Sequence, residues 1–200
     1  MNRLRLAAAG ITANLIFWPA LFIFAALRPE YSHYTKAISE LGTWGAPRMW
    51  WWNTIGFMVP GALLAVFGWN FGRLVTPRGI LLPVCLATLG IGFLIAGVFP
   101  GDLEHRESAT TLLHMGGSFL GFGTLVGLVM LIMRIRTEWR AYSILSFFPL
   151  VGLLAIVGLH FVAPSYVHHH PGLVQRLMFA NWMAWYLGAA LLLLREPRAR

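Results

Sequence analysis

GVFPGDLEHRESATTLLH, residues 97–114, is the one stretch in which this chain gathers acids, bases and turn-forming residues together, and it holds three of the seven acids. Apolar runs of membrane-crossing length flank it, at roughly 79–99 before and 110–133 after. A polar turn between two such runs reads as the junction of two transmembrane helices, because a bilayer core about 30 Å thick needs about twenty apolar residues per crossing. Four more runs lie further out, at about 6–27, 51–71, 141–163 and 173–194. The expectation is an all-α bundle of six transmembrane helices, occupying residues 1–200 as a single integral membrane domain.

Composition supports that reading. The 200 residues are 58% hydrophobic and 11% charged, with a mean hydropathy of +0.69. A soluble domain of this size could not hide so much apolar surface. In lipid each backbone polar group must be satisfied within its own helix, and the short alternating strands of a barrel are absent from the pattern.

The net charge of +8 does not indicate nucleic acid, because the basic residues sit in small groups at the helix ends, where they set topology. Six crossings put both termini on one side. That side carries Arg3, Arg5, Arg73, Arg78, Arg134, Arg136, Arg140, Arg195, Arg198 and Arg200 against Glu138 and Glu196. The opposite side carries five basic and five acidic residues: Arg28, Lys36, Arg48, Arg106 and Arg176, with Glu30, Glu40, Asp102, Glu104 and Glu107. Positive charge collects on the cytoplasmic side, so both termini are expected there, in a cytoplasmic membrane, and the 97–114 junction outside. Cys85, the only cysteine, has no partner for an intramolecular disulfide and reads as a packed residue. The N-terminal apolar run is too long for a signal-peptide core and reads as an uncleaved first helix.

Within the first outer loop, YSHYTKAISELG (residues 31–42) spaces Tyr31, Tyr34, Ile38 and Leu41 at helical intervals. Ser32 as a cap and Gly42 as a stop predict a short amphipathic helix at the outer interface. Trp44, Trp50, Trp51 and Trp52 follow as headgroup-layer aromatics. In the fourth run His114, Gly117, Ser118 and Gly121 share one face, and Gly117/Gly121 and Gly123/Gly127 form GxxxG pairs that could also support homo-oligomer formation. In the sixth run Arg176 stands above Ala180, Ala184 and Gly188 at four-residue steps.

YSHYTKAISELG followed by Asn53 and Gly61, then GVFPGD with His114 opening the next helix, then Gly172 and Arg176 before a tryptophan-bearing helix, resembles the bacterial and archaeal membrane family catalogued as domain of unknown function 998 (DUF998). The resemblance spans nearly the whole chain and implies a multi-pass membrane protein without an assigned activity. Ser39, Asp102, His105, His114, His160 and the His168–His170 run also offer the residue types of the alkaline-ceramidase-like zinc hydrolases. Against that, the chain has six runs rather than seven helices, and no histidine in its last.

Two chemistries follow for the outer face. One is the binding of membrane lipid or another small amphiphile, with His114, His160, Arg176, Asp102 and Asn181 as ligand-binding residues beside Trp182 and Trp185; pockets between bundle helices are common ligand sites. The other is zinc-dependent hydrolysis. His105, His114, His160 and Asp102 would be metal ligands, with Glu40 or Glu104 as general base and Ser39 as a further catalytic candidate. Each residue also has a plainer reading. Asp102 and Glu104 would be helix-start chemistry, with Ser108 or Thr110 as the cap. His114 and His160 would bond backbone carbonyls, and Arg176 would pair with Asp102 or Glu40. A structural or partner-binding subunit is the third class. Ion-coupled transport is disfavoured, because no Asp, Glu, Lys or Arg lies deep in an apolar run.

Overall fold

The computed structural model describes residues 2–195, so Glu196, Arg198 and Arg200 of the topology argument lie outside the described residues. Six helices are long and apolar enough to cross a membrane: span 1 (Arg3–Ala26), span 2 (Met49–Val75), span 3 (Leu81–Val98), span 4 (Ala109–Ile132), span 5 (Arg140–Val162) and span 6 (Pro171–Arg195). The described residues form no strand. Each span lies within a few residues of its apolar run, because the same polar and turn-forming residues end both. Asn2 accepts a hydrogen bond from the Arg5 N–H at 2.8 Å and caps span 1, and Ser108 accepts from Thr111 N–H at 3.3 Å and caps span 4.

Sequential spans pack side by side, and span 6 returns against span 1 to close the ring. Gly10 of span 1 approaches Ala190 of span 6, which brings the two chain ends to one end of the bundle, the terminal end. The loops 27–48, 99–108 and 163–170 lie at the other, distal end.

Span 3 is the packing centre, and two glycine pairs explain its close approaches. A Cβ on Gly90 would collide with the Gly61 carbonyl oxygen of span 2, and a Cβ on Gly92 with the Gly117 oxygen of span 4. Only glycine permits such backbone contact. Gly117, Gly121, Gly123 and Gly127 of the GxxxG pairs meet Ile95, Leu89, Thr88 and Leu86 of the same chain. Phe17, Phe57, Phe93 and Phe179 meet ring to ring across the middle of the bundle, with Phe17 and Phe179 stacked.

The first loop departs from expectation. Instead of a helix from Ser32 to Gly42, Ser32 Oγ accepts from the N–H groups of Tyr34 and Thr35 in a turn, and only Ile38–Gly42 is helical, as a 3₁₀ turn. Glu40 Oε1 accepts from the Ala37 N–H at 2.8 Å and starts that turn. Ile38 and Leu41 are fully buried, so their helical spacing marks a face turned into the bundle. Trp52 is likewise buried, whereas Trp44, Trp50 and Trp51 are exposed.

This loop forms a roof over the distal end. Trp44 N–H bonds the Gly101 carbonyl at 2.9 Å, and Leu173 N–H bonds the Tyr34 carbonyl at 3.0 Å. Asn53 Nδ2 donates to the Gly42 carbonyl at 3.0 Å. Asn53 opens a π-helical turn, Asn53–Met58, within span 2; such turns widen a helix and re-aim its side chains.

Candidate functional site

Beneath the roof lies a cavity of about 70 Å³. Its distal wall carries Ser39 from the roof, His114 from span 4 and Gln175 from span 6; its deeper wall is Leu89 and Phe93 of span 3, Leu153 of span 5, and Met178 and Trp182 of span 6. Polar groups gather at one end and apolar ones at the other. None of the lining residues is Asp, Glu, Lys or Arg.

His114 is the buried polar residue at the head of this cavity. Its Nδ1 lies 2.9 Å from the Ala96 carbonyl oxygen and 3.0 Å from that of Phe99. Two carbonyls can only accept, so Nδ1 carries the hydrogen, and in the neutral ring Nε2 is an acceptor. Nε2 has no hydrogen-bond partner among the described residues, as neither ring nitrogen makes a bond beyond these two. The expected face of His114, Gly117, Ser118 and Gly121 lines the cavity in full. Gln175 Oε1 accepts from the Ile38 N–H, which leaves its NH₂ group without a described partner.

The remaining candidates lie elsewhere. Arg176 is a staple. Its Nε donates to His33 Nδ1 at 3.0 Å, its NH1 to the carbonyls of Lys36 (2.9 Å) and Gly172 (2.8 Å), and its NH2 to the Tyr31 hydroxyl at 2.7 Å. The guanidinium also sits over the Tyr31 ring, 5.4 Å from its centroid. These partners replace the carboxylates expected for it, because span 6 begins beside the roof rather than beside the Asp102 loop, and Glu40 is taken up by the Ala37 N–H and Lys36. Burial pushes the Tyr31 hydroxyl above its usual range against the opposing pull of Arg176. His33 is shifted down, first by burial and then by the Arg176 charge.

Asp102 closes a turn with its own neighbours. Its Oδ1 accepts from the N–H groups of Glu104 and His105, both at 2.9 Å, and its Oδ2 lies 3.1 Å from His105 Nδ1. The backbone N–H of His105, then that of Glu104 and the His105 ring, hold the carboxyl below its usual range. Glu104 and His105 are exposed. Glu40 is engaged at the Ala37 N–H and, at 3.4 Å, with Lys36 Nζ. His160 is exposed and bonds the Ile156 carbonyl of its own helix at 3.0 Å. Asn181 donates to the Pro149 carbonyl at 2.7 Å and abuts Gly152, so it joins spans 5 and 6 outside the cavity. Trp185 is a joint of the same kind, donating to Ser146 Oγ at 3.1 Å.

The zinc set therefore does not assemble: His105 and Asp102 pair on an exposed loop, His114 turns inward, and His160 stays with span 5. Among the described residues no three histidine, cysteine, aspartate or glutamate side chains form a group able to hold a metal. What sequence reasoning missed is Gln175, Met178 and Phe179, which share a face with the expected Trp182. Gln175, Met178, Phe179 and Trp182 follow helical spacing and line the cavity, while the small-residue line through Ala180 and Ala184 points away from it. The signal is present as an i, i+3, i+4, i+7 pattern, and Arg176 belongs to the adjacent face.

A family model described as protein of unknown function (DUF998) matches residues 11–192. No curated protein and no solved structure matches the chain.

Proposed function

We infer the role of this chain from its cavity, because the chain belongs to the DUF998 family and that family's description names no activity. It is a multi-pass membrane protein that binds a small, uncharged amphiphile in the distal half of the bundle, with the head at Ser39, His114 and Gln175 and the apolar part toward Leu153 and Trp182. The observation that carries this reading is the unspent acceptor of His114 at the polar head of a cavity whose deeper wall is apolar. A ligand group that donates to this acceptor gains a hydrogen bond that no described residue supplies.

Charge excludes the ionic version of the same idea. A phosphate or carboxylate head would need Arg176, whose Nε and NH1 are already spent on the roof and span 6 and which does not line the cavity. Burying such a head without a cation is strongly unfavourable. The positive charge at the terminal end favours an arrangement in which that end is cytoplasmic and the cavity opens toward the outer leaflet, in a bacterial or archaeal cytoplasmic membrane.

The test is mass spectrometry of molecules that co-purify with the protein in mild detergent. The wild type should carry an uncharged amphiphile in near-stoichiometric amount, and Met178→Trp, which fills the cavity from its wall, should lose most of it while still melting cooperatively. Equal amounts in the two proteins, or none in the wild type even after the detergent is exchanged for lipid nanodiscs, would refute the reading.

A further inference from the structure

We propose that the cavity takes a single-chain lipid with a hydroxyl head directly from the bilayer, through an opening between span 4 and the paired spans 5 and 6, and that His114 Nε2 accepts the hydrogen bond of that hydroxyl. The proposal rests on the cavity-binding reading above and specifies its ligand and its route.

The route follows from what is closed. From the distal side the roof is stitched down on two edges, to the 99–108 loop through Trp44 and Gly101 and to span 6 through Arg176, Tyr31, His33 and Lys36. Ile38 and Leu41 fill the space beneath it. Toward the terminal end the helices are joined: Ser143 Oγ donates to the Leu131 carbonyl at 2.6 Å between spans 5 and 4, and Trp185 Nε1 donates to Ser146 between spans 6 and 5.

One side remains. Ser118 and Phe122 of span 4 line the cavity and are also exposed, Phe122 by 48%. At 1.5 Å per residue they lie about 14 and 20 Å along the helix from its distal start, well within a hydrocarbon core about 30 Å thick. An opening at that depth faces lipid tails. Beyond it the distal end of span 5 is loosely packed: Phe161 and Val162 are 82% and 85% exposed, and a Cβ on Gly158 would meet nothing within 4 Å.

The ligand follows from shape and hydrogen bonding. A cavity of about 70 Å³ has room for roughly five water-sized spheres, enough for part of one alkyl chain but not for a two-chain lipid. From His114 to Phe122 it runs about 12 Å along span 4, with Ser39, His114 and Gln175 at the distal end and the deeper Ser118 hydroxyl donating to the His114 carbonyl. Nδ1–H is committed to the Ala96 and Phe99 carbonyls, so neutral His114 can only accept, and its partner must donate. The Gln175 NH₂ group at the same end donates. A hydroxyl satisfies both at once, giving its hydrogen to His114 and receiving one from Gln175; an ether or ester oxygen could satisfy only Gln175.

The experiment uses purified full-length protein in phosphatidylcholine vesicles containing either a diazirine-bearing long-chain alkanol or its methyl ether. After illumination, labelling is read on peptides carrying Leu153, Met178 and Trp182. The alkanol should label these peptides several-fold more than the ether. His114→Asn keeps a donor for the two carbonyls but withdraws the acceptor from the Nε2 position, because its only acceptor is the Oδ1 of a shorter side chain, and should lower alkanol labelling about fivefold with ether labelling unchanged. Ser118→Trp should lower labelling by both probes about tenfold or more, and Phe122→Ala, which widens the mouth, should raise the labelling rate. If Ser118→Trp does not melt like the wild type, Phe122→Ala carries the test of the route alone, and an unchanged rate overturns it.

Equal labelling by alkanol and ether, insensitive to His114→Asn, overturns the hydroxyl head. Undiminished labelling in a well-folded Ser118→Trp protein overturns the lateral route. Either result leaves cavity binding standing provided an amphiphile still co-purifies with the protein. No labelling of these peptides together with no co-purifying amphiphile removes the cavity reading itself.

Discussion

His114 and Arg176 divide the polar work of the distal end between them. Arg176 is consumed by structure, since four hydrogen bonds fix its planar fork against the roof and the start of span 6. Lysine could not reproduce that geometry. Arg176→Ala should cost on the order of 2 kcal/mol and speed amide exchange selectively at Tyr31–Leu41, which hydrogen-exchange mass spectrometry would read. His33 makes the same joint sensitive to acid. Its Nδ1 must be unprotonated to accept from Arg176, and the groups packed on the ring are Phe22, Tyr31 and Arg176. Because its folded-state value is shifted below the usual 6.5, neutral His33 contributes stability that is present above that usual value and lost as pH falls through the lowered one. Melting in detergent should therefore shift downward as pH drops from 7 toward 5, and the shift should shrink in His33→Ala. Equal pH dependence in both proteins would show that His33 is not its source.

At the scale of elements, span 3 organises the bundle because its glycines let two neighbours approach backbone to backbone. Gly92→Leu would drive a side chain into the Gly117 carbonyl, and overpacking of this kind typically costs about 1–3 kcal/mol or more. The expected result is a markedly lower melting temperature or failure to accumulate in the membrane. Gly116→Leu, at a position where a Cβ meets nothing within 4 Å, should be tolerated. If the two variants melt alike, close approach at the span 3–span 4 crossing is not what the glycines provide. The roof is the second organising element. Its helical spacing was readable, but the same spacing fits a helix on a membrane surface and a 3₁₀ turn pressed into a core. Burial of Ile38 and Leu41 separates the two.

For the whole molecule, six spans in a ring place the roof, the 99–108 loop and the cavity at one end, opposite the described chain ends. Single cysteines placed at the exposed positions Tyr34 and Glu104, on a Cys85→Ser background, should react with a membrane-impermeant maleimide added to intact cells. A cysteine at Thr137, at the terminal end, should react only after permeabilisation. The reverse pattern would overturn the outward-facing reading while leaving the bundle intact.

The spans, their lengths and the pairing of both chain ends were legible in the sequence, because a bilayer imposes a repeat length that apolar runs display directly and each helix satisfies its own backbone. The face of His114, Gly117, Ser118 and Gly121 was legible for the same local reason, as helical periodicity sets which side chains share a side. Which faces meet was not. Arg176 stands next to Gln175 in the chain, yet one side chain ties down the roof and the other lines the cavity. Asp102 and His105 look like site residues in composition, yet they bond to each other on an exposed loop. Such outcomes depend on the rotation of each helix about its axis, and that rotation is set by contacts between residues distant in sequence, such as Gly92 with Gly117 and Ile38 with Gln175. Only the packed bundle brings those partners together, and with them Ser39, His114 and Gln175 at the head of one cavity.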